Sequence, residues 1–331
     1  MTLENNQIQL APPLLKSPSS LIPRIVSHVA VLERGDSNAR TSPLQTFPIL
    51  ESEDAQLDNH LEQADLYGFY HDKVRNDYDP SLGHLVIRKP TNRHIIFIQR
   101  FVELVLAKMT AQARILEKNY PTIAQRLLML RSMSTSDIDL LSDDGEVGHK
   151  SPDVSIGYSD RVSPQAVFEV AYNQDRRALK RLAWDYIMGS SHCIRCVVGL
   201  TAEYLQNPSS SSPSPAHNAS VSVWRLLVEI EGNTKNMDVK QDIKNQCLGG
   251  CNPDHAISIL SVRDLLDDKM LEGISPESDL AEFEIVITSG EMIGILASAE
   301  RCHESSRRQR KKLLRDSQDP SYNWRKRRTM F

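Results

Sequence analysis

Apolar residues recur at helical spacing from Ile98 through Phe101, Val102, Val105, Leu106, Met109 and Ala113 to Leu116. This single stripe predicts a helix, with Asn92 placed to cap it. Pro121 ends that helix or opens a second one running through Leu130. Ahead of it, Gly83–Arg88 has the alternation of a short strand, stopped by Pro90. Beyond it the period falls from 3.6 to 2. Asp137–Leu141 alternates in front of an Asp143-Asp144-Gly145 turn, and Pro152–Tyr158 and Ala166–Ala171 are two further strand-like runs. Ala178, Leu179, Leu182, Tyr186 and Ile187 predict a buried helix face between Asp175 and Met188, with Gly189 suited to the position after its end. Strands follow at Cys196–Tyr204 and Val221–Ile230. A short helical piece is expected at Val262–Met270, and Phe283–Thr288 with Met292–Ala299 around Ser289-Gly290 predicts a closing hairpin. The order of these elements predicts an α/β fold, a mixed β-sheet flanked by helices.

The flanks differ from this body. Residues 1–65 are rich in Ser, Pro, Asn and Gln, and between Thr41 and Tyr70 they carry six acids and no Lys or Arg. A segment of that kind buries little, so an unstructured acidic and polar region is expected there, with the folded domain at 66–300. Within the domain, 205–220 is a Ser/Pro-rich insertion between paired strands. Residues 301–331 hold eleven Lys or Arg against three acids, a tail of +8 on a body of −12, although the whole chain is only −4. The near-neutral average excludes a globally basic packaging protein, and the distribution leaves a polyanion contact open. No apolar run is long enough to span a bilayer, no secretory leader is visible, and five cysteines form no disulfide framework. An intracellular protein is expected.

Two acids stand in strand context. Asp153 opens one strand behind Pro152, and Glu169 lies inside the next, bracketed by Phe168 and Val170. Two such carboxylates at one sheet end offer the hard oxygen ligands that Mg²⁺ or Mn²⁺ takes. Gln174 follows, then a helix start carrying Arg176, Arg177, Lys180 and Arg181, cations suited to a phosphate backbone. The plainer reading has Asp153 capping a turn, Glu169 meeting an arginine, and the cations forming the wet face of a helix.

The runs Lys150-Ser-Pro-Asp-Val-Ser155, Val167-Phe-Glu-Val-Ala-Tyr-Asn-Gln174, Leu179–Tyr186, Ile194–Leu200 and Ser222-Val-Trp224 come in an order that resembles the PD-(D/E)XK nuclease superfamily, in particular a fungal restriction-endonuclease-like branch. Leu85–His94 resembles that branch's entry to its first helix, and the likeness spans about residues 83–230. The resemblance implies a restriction-endonuclease-like core and metal-dependent phosphodiester cleavage. Asp153 and Glu169 would be the Mg²⁺ or Mn²⁺ ligands, Gln174 or Lys180 would orient phosphate or water, and Arg176, Arg177 and Arg181 would meet nucleic acid, DNA rather than RNA. The chain departs from the pattern where it matters for catalysis. The motif's Lys position is Ala171, and Ile95 follows His94 where an acid often stands, leaving Glu103 two turns on as a substitute. Two expectations result: a divalent-metal-dependent nuclease, or a catalytically inactive nuclease-fold module binding nucleic acid or protein in the nucleus.

Zinc is disfavoured, since Cys193 and Cys196 enter a strand with three-residue spacing and Cys247 and Cys251 fit no standard ribbon or finger. The clusters Arg307–Lys312 and Arg325–Arg328 read as a nuclear address, a nucleic-acid arm, or a solvated basic end.

Overall fold

A computed structural model describes residues 21–35, 44–134, 137–142, 144–172, 176–202, 219–231, 234–249, 252–266, 269 and 283–318. The elements run α1 (Leu21–Arg34), β1 (Leu44–Pro48), α2 (Glu51–Gln63), α3 (Tyr67–Lys73), β2 (Arg75–Asp79), β3 (His84–Arg88), α4 (Asn92–Leu116) and α5 (Pro121–Met129). They continue as β4 (Leu130–Ser134), β5 (Ile138–Leu141), β6 (Val147–Lys150), β7 (Val154–Tyr158), β8 (Ala166–Tyr172), α6 (Arg176–Gly189) and β9 (Cys196–Ala202). The last are β10 (Ala219–Glu231), β11 (Thr234–Cys247), β12 (Ala256–Ser261), a short 3-10 turn (Val262–Leu265), β13 (Glu284–Thr288) and α7 (Ser289–Gln318).

The chain is α/β, with mixed sheets flanked by helices. Its central sheet has six strands in the order β11-β10-β9-β8-β7-β4. Neighbours are antiparallel except β8 and β9, which run parallel because α6 carries the chain back across the sheet between them. The period-2 pattern explains how the sheet is covered. Ala166, Phe168 and Val170 of β8 join Val154, Ile156 and Tyr158 of β7 in one core, packed under α4, α5, α7 and the β12–β13 pair. Val167 and Ala171, one residue out of phase, join Leu179, Ala183, Tyr186 and Ile187 of α6 on the other side.

A second, antiparallel sheet, β1-β3-β2-β6-β5, lies against α1, α2 and α3 around a core of its own. This corrects the expectation that residues 1–65 are unstructured. Ile22, Ile25, Val29 and Leu32 of α1 recur at three- and four-residue steps and are buried, and Phe47, Ile49, Leu57 and Leu61 complete the same core. Polar composition hid a short but regular stripe. Residues 1–20 and 36–43 lie outside the described residues.

The C-terminal expectation is also corrected. Met292–Ala299 is not a strand but the start of the 30-residue helix α7, and β13 pairs with β12 instead. Thr288 and Glu291 form a reciprocal cap: Thr288 N–H donates to Glu291 Oε2 at 2.8 Å, and Glu291 N–H donates to Thr288 Oγ1 at 3.2 Å. That box starts a helix, and Met292, Leu296 and Ala299 then bury at helical spacing. The basic segment at 301–331 is helical as far as Gln318; Arg325–Arg328 lies outside the described residues. The insertion at 205–220 falls outside them too, save for Ala219 and Ser220, which open β10. Two local details differ as well. The cap of α4 is Thr91, whose hydroxyl accepts from His94 N–H at 3.3 Å, and Gly189 is the last residue of α6 rather than a left-handed residue beyond it. No helix among the described residues is long and apolar enough to cross a membrane.

Candidate functional site

β7 and β8 pair with Val154 opposite Phe168, so one step further along the register Asp153 faces Glu169 across the two strands. Asp153 Oδ2 accepts from the N–H of Val170 at 2.7 Å, which fixes the carboxyl against β8. Both residues are buried, 3 % and 1 % exposed. The sequence-predicted pair therefore converges at one end of the sheet.

Four further residues close around it, two from the second sheet and two from helices α4 and α6. Arg88, at the end of β3, directs Nη1 toward Glu169 Oε2 at 3.4 Å. Its Nη2 lies 3.1 Å from Asp77 Oδ2 of β2 and donates to the carbonyl of Ser151 at 3.0 Å. Asp77 Oδ1 also accepts from Ser151 N–H at 3.0 Å, tying β2 to the segment that leads into Asp153. From the first turn of α4, His94 Nε2 stands 2.8 Å from Asp153 Oδ1. From α6, Tyr186 donates its hydroxyl to Glu169 Oε1 at 2.8 Å. Glu169 does meet an arginine, and that arginine joins the two sheets.

The electrostatics divide the two carboxyls. For Asp153, burial opposes ionisation, but His94, the Arg88 guanidinium and the Val170 N–H outweigh it and hold the group down at about 2. For Glu169, burial and the neighbouring Asp153 charge outweigh the Arg88 cation and the Tyr186 hydrogen bond, and the group is pushed up to about 8. At neutral pH Asp153 is the anion and Glu169 keeps its proton. Arg88 is held charged: burial opposes its charge, but the nearby Asp77 and Asp153 carboxylates override that cost.

A divalent cation fits this arrangement poorly. Each of the four carboxyl oxygens is already engaged, by His94, Val170 N–H, Tyr186 and Arg88. The space that a metal would neutralise holds a guanidinium, and Glu169 would have to lose its proton to ligate. Among the described residues, no three His, Cys, Asp or Glu side chains are grouped to hold a metal.

The other predicted site residues are not brought here. Lys180 is exposed on α6, whose sheet-facing side is Leu179, Ala183 and Tyr186, so it does not replace the ammonium missing at Ala171. Ala171 itself is buried against that helix. Arg181 Nη2 pairs with Asp79 at 3.0 Å, away from Glu169. Arg176 and Arg177 open α6, but their side chains, like the whole of Gln174, lie outside the described residues. Glu103 is exposed and accepts from Gln99 at 3.3 Å, so it is not the missing helix acid. Cys196 is buried at the start of β9, whereas Cys193 is exposed in the segment before that strand rather than within it.

Sequence reasoning missed Arg88, Asp77 and Tyr186 as partners. Arg88 was legible only as the polar end of a strand, and Asp77 lies in Arg-Asn-Asp-Tyr-Asp, which has no apolar alternation. A usable signal was the phase of Tyr186, which shares the buried face of α6 with residues packed on β8. No family model, no curated protein and no solved structure matches the chain.

Proposed function

We propose that this protein is a nuclease-fold module that holds nucleic acid without cutting it. The observation that carries the reading is the Arg88 guanidinium, lodged between Asp77 and Glu169 where a catalytic cation would act. The layout supports the resemblance to PD-(D/E)XK proteins. A helix precedes three antiparallel strands, β4-β7-β8, and a crossover helix leads to the parallel β9, with Asp153 and Glu169 facing each other at one sheet end. The chemistry departs from it, since the pair is closed by its own residues and lacks an ammonium.

Contact with nucleic acid rests on α7. Arg301, Arg307, Arg308, Arg310, Lys312 and Arg315 are exposed on one continuous helix, with Glu304 the exposed acid beside them among the described side chains. A solvated cationic rod of this kind releases counterions from a phosphate backbone, which gives salt-sensitive, sequence-tolerant affinity. Nuclear import through the same cluster is a further proposal, tested by whether the Arg307–Lys312 run directs a reporter to the nucleus.

A second reading, a Mg²⁺- or Mn²⁺-dependent nuclease with Asp153 and Glu169 as ligands, is favoured by one observation, the convergence of those carboxyls. Plasmid and single-stranded DNA incubated with either ion separate the two. Cleavage that disappears in Asp153→Ala and Glu169→Ala supports the nuclease. Salt-sensitive binding without cleavage, retained in those variants and lost on removal of residues 301–331, supports the module.

A further inference from the structure

At the other end of β7 and β8 from the carboxyl pair lies a cavity of about 610 Å³. A five-residue strand spans roughly 17 Å, so this cavity is separate from the Arg88 network. Its walls come from the loop joining β7 to β8, the turn between α6 and β9, and the β10–β11 hairpin. Arg161, Arg195 and Lys269 line it, and its described lining contains no carboxylate. The chain as a whole carries more acids than bases, so a pocket lined by three cations stands out from the average. The same lining also carries the apolar Leu226, Met237 and Leu266.

The backbone here is firmly set. Arg195 N–H donates to the Gln165 carbonyl at 2.8 Å, and Leu226 N–H donates to the Arg195 carbonyl at 2.9 Å, so Arg195 is fixed on both sides. Gln165 also lines the cavity, is only 4 % exposed, and its Oε1 has no hydrogen-bond partner among the described residues. The rim turn places Ser191 and His192 in successive left-handed conformations, with φ of 52° and 65°. Non-glycine residues hold such angles at a cost, one that functional sites often retain.

We propose that this cavity binds a nucleoside phosphate, with the phosphate against Arg161, Arg195 and Lys269 and the base on the Leu226–Met237 wall. Three cations exceed what a single carboxylate would need, and the volume exceeds what inorganic phosphate fills. The apolar side chains offer a base a hydrophobic contact alongside the charged groups, as ligand pockets commonly do. The ligand comes either as a free nucleotide or as the 5′-phosphorylated end of a single strand. This site is independent of α7 and of the proposed non-cutting role.

Calorimetric titration of the full chain with adenosine monophosphate, adenosine and inorganic phosphate tests it. The monophosphate is expected to bind at one site, at least roughly tenfold more tightly than either fragment, because charge-assisted and apolar contacts act together. Arg161→Gln and Met237→Glu should each weaken it by roughly tenfold with the unfolding temperature unchanged. Lys269→Gln, at an exposed position, carries the same test should either of those variants fail to fold. A short single strand with a 5′-phosphate that displaces the monophosphate, where its 5′-hydroxyl counterpart does not, identifies a strand end as the source. Failure of both strands to compete identifies the free nucleotide. Binding no tighter than phosphate alone, or unchanged in the folded variants, overturns the proposal. Loss of binding on removing residues 301–331 overturns it as well, by assigning the affinity to α7.

Discussion

Replacing Arg88 with methionine removes a guanidinium that joins the two sheets while keeping an apolar stem of similar length. The nearest charge left behind is Asp77, whose Oδ2 lies 3.1 Å from Nη2; Glu169 is farther, at 3.4 Å, and holds its own proton at neutral pH. Asp77 and Arg88 side chains are 12 % and 14 % exposed, so water restores little. Removing one partner of a buried pair leaves an uncompensated charge, and the expected cost is about 3–5 kcal/mol. Asp77→Asn in the same chain should recover part of it. The asparagine oxygen can still accept the Ser151 N–H that now sits 3.0 Å from Asp77 Oδ1, and no orphaned anion remains. Urea unfolding followed by tryptophan fluorescence measures both, with Trp224 buried in the central sheet as reporter. The double variant should be more stable than Arg88→Met alone by at least about 1 kcal/mol. A cost below about 1 kcal/mol for Arg88→Met, or two penalties that simply add, would refute the argument that this guanidinium neutralises the site.

Glu169 makes a pH signature. Folding raises its pKa from 4.5 to about 8, so the folded chain keeps a proton that the unfolded chain has released, and this contribution to stability is lost as pH rises through that window. Glu169→Gln should therefore gain on the wild type between about pH 5 and 9, by on the order of 3 kcal/mol, and parallel stability curves would count against the assignment. Tyr186→Phe removes the 2.8 Å hydrogen bond to Glu169 and should cost about 1–3 kcal/mol in the same unfolding assay. Gly199 has no room for a methyl group, since a Cβ there would stand 2.7 Å from Trp224 Cζ3, and Gly199→Ala should lose about 1–3 kcal/mol by thermal melting. Exchanging Arg307, Arg308, Arg310 and Lys312 for glutamine should flatten the salt dependence of duplex binding by about 0.9 in log–log slope for each phosphate no longer neutralised.

What the sequence made legible was the part of the chain where burial and periodicity agree. The stripe from Ile98 to Leu116 is the buried face of α4, and Phe168 and Val170 bracket Glu169 as β8 requires. The facing of Asp153 and Glu169 followed from two adjacent strands of the right phase. Elements that carry their apolar residues sparsely were missed. β11, Thr-Lys-Asn-Met-Asp-Val-Lys-Gln-Asp-Ile-Lys-Asn-Gln-Cys, is an edge strand with charges on its exposed face, so its composition resembles a loop while its pairing with β10 spans the whole strand. Ser289-Gly290 suggested a hairpin turn because each residue favours one, whereas the deciding signal was Thr288 and Glu291 at capping-box spacing. The partners of the carboxyl pair were least legible. Arg88 and Asp77 reach Glu169 and Ser151 only because a second sheet docks beside the first, a long-range event that no local pattern encodes.

The most direct test of Arg88 as the resident cation is a plasmid cleavage assay with Mg²⁺ or Mn²⁺, run beside the Asp153→Ala and Glu169→Ala variants. If Arg88 holds the site closed, the full chain nicks no more DNA than those variants do, while still binding it in a salt-sensitive way. Metal-dependent nicking by the wild type that both substitutions abolish would contradict this, and would show that the ion displaces the guanidinium.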